Sequence, residues 1–385
     1  MTVRRAAGSE DYFLELLASA VNQRETLLRK PNVSWEWIYK MADYHHVSNL
    51  IYYKIMWVDA KDAQKWKEKF SERYQLAIKL NTQYEKLEEE LEKRFQEGHI
   101  NVLFLGNGLY KAYYPYPEMR MPQSVKILVE KGKTVEAGKI LRESGLQFQK
   151  KKEEKDRNQS YCLHDMRVEV MEELPFTDRL VRRWFRNFLS KVPRVQGKKY
   201  IHYMTMEILY LYLITDISRK YAEGEAELRD ALDLWVLLKA CGQDMIWKWI
   251  GKELESLGLE VFSEYFLYLI GGWFGKMQFS EESDVLHDMQ TYFLSKGQKA
   301  RAENEKFFPI IKNVADTYYR NLRKEEKKRD RQMKYPSVEY MRTAFPVLDM
   351  FPWLLPVFWI VRMVKRKEYV RKENTRNQKE EKEDD

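Results

Sequence analysis

The sequence predicts an α+β protein in which a small mixed sheet is embedded in a mostly helical chain. Two observations lead to this fold class. Apolar residues recur at helical spacing over most of the 385 residues. Between residues 100 and 174, short apolar runs alternate instead with helical stretches and turns. The chain is 44% hydrophobic and 14% aromatic, which excludes a globally disordered protein.

These changes of pattern divide the chain into regions. We expect an N-terminal helical region over 1–99, an α/β core over 100–175 and a second helical region over 176–335. An apolar and basic segment follows over 336–370, and the polar tail 371–385 is expected to be disordered.

The elements follow from local patterns in chain order. Helices are predicted over 10–30 and over 59–96, and another helix is predicted to begin after Ser34, its N-cap. Gly98 ends the long charged amphipathic run of the helix over 59–96. In the core, a helix is predicted over 134–144, and strands are predicted over 101–105, 124–129, 146–149, 160–163 and 167–171. From Asp178 onward the apolar spacing is helical again, with four successive stretches between 204 and 271.

Composition excludes several kinds of site and location. Two cysteines, Cys162 and Cys241, cannot build a disulfide framework or a cysteine-rich zinc site. None of the six histidines shows metal-ligand spacing, and the pair His45 and His46 faces two sides of a helix, so no metal site is predicted. The sequence shows no secretory signal and no apolar run long enough to span a bilayer, so we expect a cytoplasmic protein.

The net charge of +8 raises the question of polyanionic partners. The densest basic run, 320–334, is interleaved with acids and is typical of a solvated helix face, so specific nucleic-acid recognition is not expected. The segment 345–367 places aromatic residues beside a basic cluster. That combination suits an anionic membrane surface, such as the inner face of a bacterial membrane, while packing as ordinary core is the alternative.

Several motifs in the core occur in an order that is similar to one known family. They are Phe104-Leu105-Gly106, then Tyr114-Pro115-Tyr116-Pro117-Glu118-Met119-Arg120, Ser124-Val125-Lys126-Ile127-Leu128-Val129, Val168-Glu169-Val170-Met171, and the later Arg229-Asp230-Ala231-Leu232-Asp233. The chain resembles the bacterial family called uncharacterised nucleotidyltransferases, within the polymerase-β-like nucleotidyltransferase superfamily. The resemblance implies a nucleotidyltransferase-like core in which Gly106, Asn107 and Gly108 form a turn that binds the nucleotide.

The sequence departs from the family pattern at the metal site. The resemblance implies two aspartates on one strand and a third carboxylate on its neighbour, which together hold two divalent ions. Here Ser124 and Lys126 occupy the aspartate positions, and only Glu169 remains. Leu105 replaces the family's lysine before the glycine, and Met171 replaces a histidine.

Three functions remain open at this stage. The first is a catalytically degenerate family member, a pseudoenzyme, which acts by binding a nucleotide and needs no cofactor. The second is an active transferase that uses Mg²⁺ and an NTP, with a rearranged carboxylate set around Glu169. The third is a peripheral membrane scaffold. Neither a protein partner nor an acceptor substrate is predicted, and whether the chain is an enzyme stays undecided.

Overall fold

The computed structural model describes residues 8–25, 33–58, 63–149, 158–275 and 284–294, followed by 337–345, 348, 352–356 and 358. The chain divides into two compact units, Met1–Ala315 and Asp316–Asp385. The predicted fold class is confirmed, because most of the described elements are helices and the strands form one mixed sheet.

Four helices precede the sheet: α1 (Ser9–Val21), α2 (Trp35–Tyr44), α3 (Ser48–Ile55) and α4 (Gln64–Glu97). Ser34 caps α2 as predicted, since its hydroxyl accepts a hydrogen bond from the Trp37 backbone N–H at 3.3 Å. Helix α4 has 34 residues and buries one stripe of side chains at spacings of three or four, which include Phe70, Ala77, Tyr84, Leu87, Leu91 and Phe95.

Six strands form one sheet: β1 (Val102–Gly106), β2 (Val125–Val129), β3 (Gln147–Gln149), β4 (Gln159–Leu163), β5 (Met166–Met171) and β6 (Ile201–His202). Their order is β3-β4-β5-β2-β1-β6. Strand β2 runs antiparallel to β1 and parallel to β5. The first five strands match the predicted ones to within one residue at each end. Strand β6 was not predicted, because two residues are too few to show an alternating pattern.

The sheet has two chemically different faces. Val125, Ile127 and Val129 point to the first face, where they join a buried apolar cluster with α4 and with the helix that follows β2. Side chains alternate along a strand, so Lys126 and Leu128 point to the second face. This second face is the one that carries the polar residues of the core.

Helices connect the strands and follow the sheet. They are α5 (Asn107–Lys111), α6 (Thr134–Glu143), α7 (Arg179–Trp184), α8 (Met206–Glu223), α9 (Leu228–Cys241), α10 (Trp247–Leu257), α11 (Glu260–Phe274) and α12 (Asp284–Phe293). Helix α9 begins with a capping box, in which Glu227 and Asp230 each bind the other's backbone N–H. This box fixes two acidic side chains at the start of α9.

The C-terminal unit is described in part. It contains helix α13 (Val338–Ala344) and a 3-10 turn, Pro352–Leu354, and the rings of Phe345 and Phe358 lie 4.8 Å apart. Most of the predicted segment 345–367, the basic run 320–334 and the tail 371–385 lie outside the described residues. Among the helices that the structure describes, none has both the length and the apolar character needed to cross a bilayer.

Candidate functional site

Two residues that the resemblance assigns to the metal site, Lys126 and Glu169, lie on the second face of the sheet. Lys126 on β2 is the register partner of Glu169 on β5 and of Leu105 on β1. Ser160 on β4 faces Glu169 from the other side. Register partners on adjacent strands are about 5 Å apart and point to the same face. Lys126 and Glu169, both half-buried, therefore occupy adjacent positions on one face, where the resemblance implies two carboxylates.

The glycine turn predicted over 106–108 spans the end of β1 and the start of α5, so Asn107 and Gly108 are residues of the first helical turn, and Gly106 lies next to Ser124. Gly106 has φ +109°, and a Cβ there would lie 3.1 Å from the Ser124 carbonyl oxygen. Only glycine fits this position without strain, because L side chains rarely adopt such a φ. The turn and Ser124, the residue just before β2, are thereby held in close backbone contact.

The carboxylate of Glu88, on α4, occupies the side of the turn at Gly108. The Gly108 backbone N–H donates a hydrogen bond to Glu88, and a side chain at position 108 would collide with that carboxylate. Burial raises the pKa of Glu88 to about 7, against the opposing effects of Lys111 and of the Gly108 N–H. The backbone that is predicted to bind a nucleotide thus holds an acidic group of the chain itself.

Helix α8 brings further charged groups near Lys126. Asp216 accepts from Arg219 and from Lys220, each at 2.9 Å, and Lys220 also binds Asp230 at 2.6 Å. Burial alone would raise the pKa of Asp216, but Lys220, Arg219 and Lys126 together hold it well below its ordinary value. Asp216 is therefore ionised and already paired on two sides.

The Tyr114–Arg120 motif is anchored to α9 by a buried ion pair. The Arg120 Nε donates to Asp233 Oδ1 at 2.7 Å, and the Tyr114 hydroxyl donates to the same oxygen at 2.8 Å. The Arg120 side chain is 7% exposed and that of Asp233 2%. Arg120 also lies over the Tyr110 ring, 5.3 Å from its centroid. This pairing fixes the segment that leads into β2.

Arg229 forms a second link between α9 and this segment. Its Nη2 donates to the Gln123 side chain and to Glu227 Oε2, the latter at 3.1 Å. Within the described part of the chain, its buried Nε and Nη1 have no hydrogen-bond acceptor. Burial and the nearby Arg120 lower the pKa of Arg229. The network around α9 therefore carries a surplus of buried donors beside Ser124.

The donor set does not fit two Mg²⁺ ions. Magnesium takes carboxylate and water oxygens in octahedral geometry, whereas the protonated Lys126 offers no lone pair and repels a cation. Across the residues that the structure describes, no cluster of three or more His, Cys, Asp or Glu side chains could hold a metal. At the positions that the resemblance assigns to the metal ligands, the side-chain oxygens that remain are the Glu169 carboxylate and the Ser124 hydroxyl. The arrangement suits the binding of an anion beside Lys126 better than metal-dependent chemistry.

Several contacts within this site were not predicted from the sequence. Glu88 and Gly108 come from distant segments, and no local pattern indicates their contact. Arg120 and Asp233, 113 positions apart, each belong to a quoted motif, but nothing in the sequence pairs them. The roles of Ser124, Lys126, Glu169 and the turn 106–108 as site residues stay predictions.

The comparisons with known proteins agree with the resemblance. The model of the family described as uncharacterised nucleotidyltransferase matches residues 31–275, which is more than half of the chain. No curated protein matches, and no solved structure does. The match includes helices α2 to α11 and the whole sheet, and α1 lies before it. The chain therefore belongs to the family of uncharacterised nucleotidyltransferases.

Proposed function

We propose that this nucleotidyltransferase-like protein is a catalytically degenerate member of its family that acts by binding a nucleotide rather than by transferring one. The observation that carries the proposal is the register of Lys126 with Glu169. The resemblance assigns Lys126 to a metal-binding aspartate position, so a positive charge of the chain would stand there instead of a metal ligand. Because the charge belongs to the chain, binding of a phosphate group next to it requires no divalent ion.

The surroundings of Lys126 support binding of modest strength. A triphosphate would meet the Lys126 ammonium, but Glu169 beside it repels the same ligand. At the glycine turn, the Glu88 carboxylate already uses the Gly108 N–H. A phosphate could use that N–H only after Glu88 is displaced or protonated. These features favour a metal-independent contact centred on Lys126.

The alternative is an active transferase with a rearranged carboxylate set. Asp216 is the acid that could join Glu169 in such a set. Lys126 lowers the pKa of Asp216, so Asp216 and Lys126 lie near one another. Asp216 is, however, already bound to Arg219 and Lys220. A metal would have to break both ion pairs before it gained this ligand, so the arrangement favours the degenerate member.

The test is a titration of each common NTP into the protein, once with Mg²⁺ and once with EDTA, together with an assay for pyrophosphate release. We expect binding that is equal in the two buffers and no release of pyrophosphate. Lys126→Gln should weaken binding about tenfold, the order expected for loss of one charge-assisted contact. Lys139→Gln, which removes an exposed lysine on α6, is the matched control and should leave the affinity unchanged.

Two results would contradict the proposal. Failure of every NTP to bind would remove the nucleotide as ligand. Release of pyrophosphate that requires Mg²⁺ and is lost in Glu169→Gln would show an active enzyme instead.

A further inference from the structure

A cavity of about 590 Å³ lies on the second face of the sheet, farther along the strands than Lys126. Leu128 lines it and follows Lys126 on the same face by two residues, a distance of about 7 Å along the strand. The ends of β2 and β5, helix α7 and the 3-10 turn Phe188–Lys191 complete its walls. Its volume is within the range of small-molecule sites. We call it the arginine cavity.

The charge of the arginine cavity is mostly positive. Its exposed basic residues are Arg179, Arg182, Arg183, Arg186, Arg194 and Lys131. None of the five arginine side chains forms an ion pair within the described ranges of the chain. A ligand can therefore bind these exposed arginines without displacing a carboxylate of the described residues.

Two acids that line the arginine cavity, Glu130 and Glu172, bind polar groups at the edge of the sheet. Glu130 accepts from the Asn101 side-chain amide at 3.0 Å. Glu172 accepts from the Gly132 N–H at 3.0 Å and from the Thr134 hydroxyl, and these contacts lower its pKa. Glu130 thus links the ends of β1 and β2, and Glu172 links the end of β5 to the start of α6. They therefore offset the positive charge only in part.

The remaining wall is apolar and aromatic. Phe185 lies 4.7 Å from Phe176 and 5.0 Å from Phe188, measured between ring centroids, and all three rings are buried. The Phe185 ring also approaches Tyr212 of α8, at 6.4 Å. These packed rings, which we call the aromatic floor, form a rigid wall of the cavity next to the arginines. The planar guanidinium group of an arginine can donate two parallel hydrogen bonds to the oxygens of a phosphate.

From this juxtaposition we propose that the arginine cavity binds a small molecule that carries at least two phosphate groups. The arginines bind the phosphates and the aromatic floor receives the less polar part of the ligand. Because the basic residues converge on a concave site rather than forming a long stripe, the geometry favours a compact ligand over a nucleic acid. This site is distinct from the Lys126 position and does not depend on the state of the metal site.

Inorganic pyrophosphate and tripolyphosphate are the probes for the test, titrated calorimetrically into the full chain in EDTA at physiological ionic strength. The variant Arg182→Gln with Arg186→Gln should lose about tenfold or more in affinity. The control, Lys93→Gln with Lys139→Gln, removes the same charge from exposed positions on α4 and α6 and should change affinity by less than about twofold. The two arginine substitutions should cause the same loss when they are made in Lys126→Gln, which separates this site from the proposed nucleotide contact.

Three results would overturn the proposal. The first is an absence of pyrophosphate and tripolyphosphate binding by the wild-type chain. The second is an equal loss of affinity in the cavity variant and the control, which would show general charge attraction. The third is binding of a short single-stranded RNA that is lost in the cavity variant while neither phosphate probe binds. Unchanged thermal melting of both double variants excludes unfolding as the cause of any loss.

Discussion

Breaking the buried pair Arg120–Asp233 is expected to destabilise the junction between the sheet and α9. Its N–O distance is 2.7 Å, and its side chains are 7% and 2% exposed. Arg120→Met would leave the buried Asp233 carboxylate without its ion-pair partner, with the Tyr114 hydroxyl as a hydrogen-bond donor and the Arg229 charge nearby. Removal of one partner from a buried ion pair costs about 3–5 kcal/mol, because the other charge stays buried without compensation.

The chain offers a matched control at the surface. Arg94 and Glu90 form an ion pair at 2.9 Å on α4, with side chains 35% and 47% exposed. Arg94→Met removes the same kind of side chain from a pair of similar length, yet an exposed helical pair contributes only about 0.2–0.5 kcal/mol. The two substitutions therefore differ mainly in burial.

Equilibrium unfolding in urea measures both changes as losses in the free energy of unfolding. We expect Arg120→Met to cost several times as much as Arg94→Met. The double variant Arg120→Met with Asp233→Leu should recover most of the loss, because it leaves no unpaired charge. Equal costs for the two single variants, or no recovery in the double variant, would refute the argument that burial makes this pair important.

Three further predictions concern the turn, the pH dependence and the C-terminal segment. Gly106→Ala should destabilise the fold by about 1–3 kcal/mol, because alanine is strained at a φ of +109°. Gly251→Ala should instead stabilise it by about 0.5–1 kcal/mol, because Gly251 is helical and no atom lies within 4 Å of the new Cβ. Equal effects of the two substitutions in urea unfolding would contradict the strain argument. The pKa of Glu88 lies above its ordinary 4.5, at about 7, so the folded state keeps a proton that the unfolded state releases. The free energy of unfolding should therefore fall by about 3 kcal/mol as pH rises from 4.5 to 7. Glu88→Gln should remove this pH dependence, whereas Glu89→Gln, at an exposed position, should retain it. An unchanged pH dependence in Glu88→Gln would refute the role of Glu88. If the segment 345–367 contacts a membrane, the protein should pellet with anionic but not with neutral vesicles, in a salt-sensitive way. Truncation after residue 340 should abolish the pelleting. A full-length protein that does not pellet would indicate that the segment is ordinary core.

Local pattern was enough to predict most of the sheet. Alternation identified the strands that carry Lys126 and Glu169, and the family resemblance made them neighbours, as the register now shows. Strand β6 was missed because Ile201 and His202 pair with β1 only through tertiary contact, which overrides the helical pattern around them.

The candidate site was predictable only in its family positions. The basic residues from Arg179 to Arg194 are visible in the sequence, but the cavity exists because Asn101, Leu128 and Glu172 come to the same place from separate strands. The contact of Glu88 with Gly108 likewise depends on how α4 crosses the end of β1. Long-range convergence of this kind leaves no periodic signal in one sequence.

In the proposed function, Lys126, opposite Glu169, takes the place of a bound metal ion. The melting temperature with and without Mg²⁺, for the wild type and for Ser124→Asp with Lys126→Asp, tests this replacement. We expect no effect of Mg²⁺ on the wild type. The restored variant should be less stable in EDTA, because its new aspartates repel Glu169, and Mg²⁺ should raise its melting temperature. A rise with Mg²⁺ in the wild type that disappears in Glu169→Gln would contradict the account.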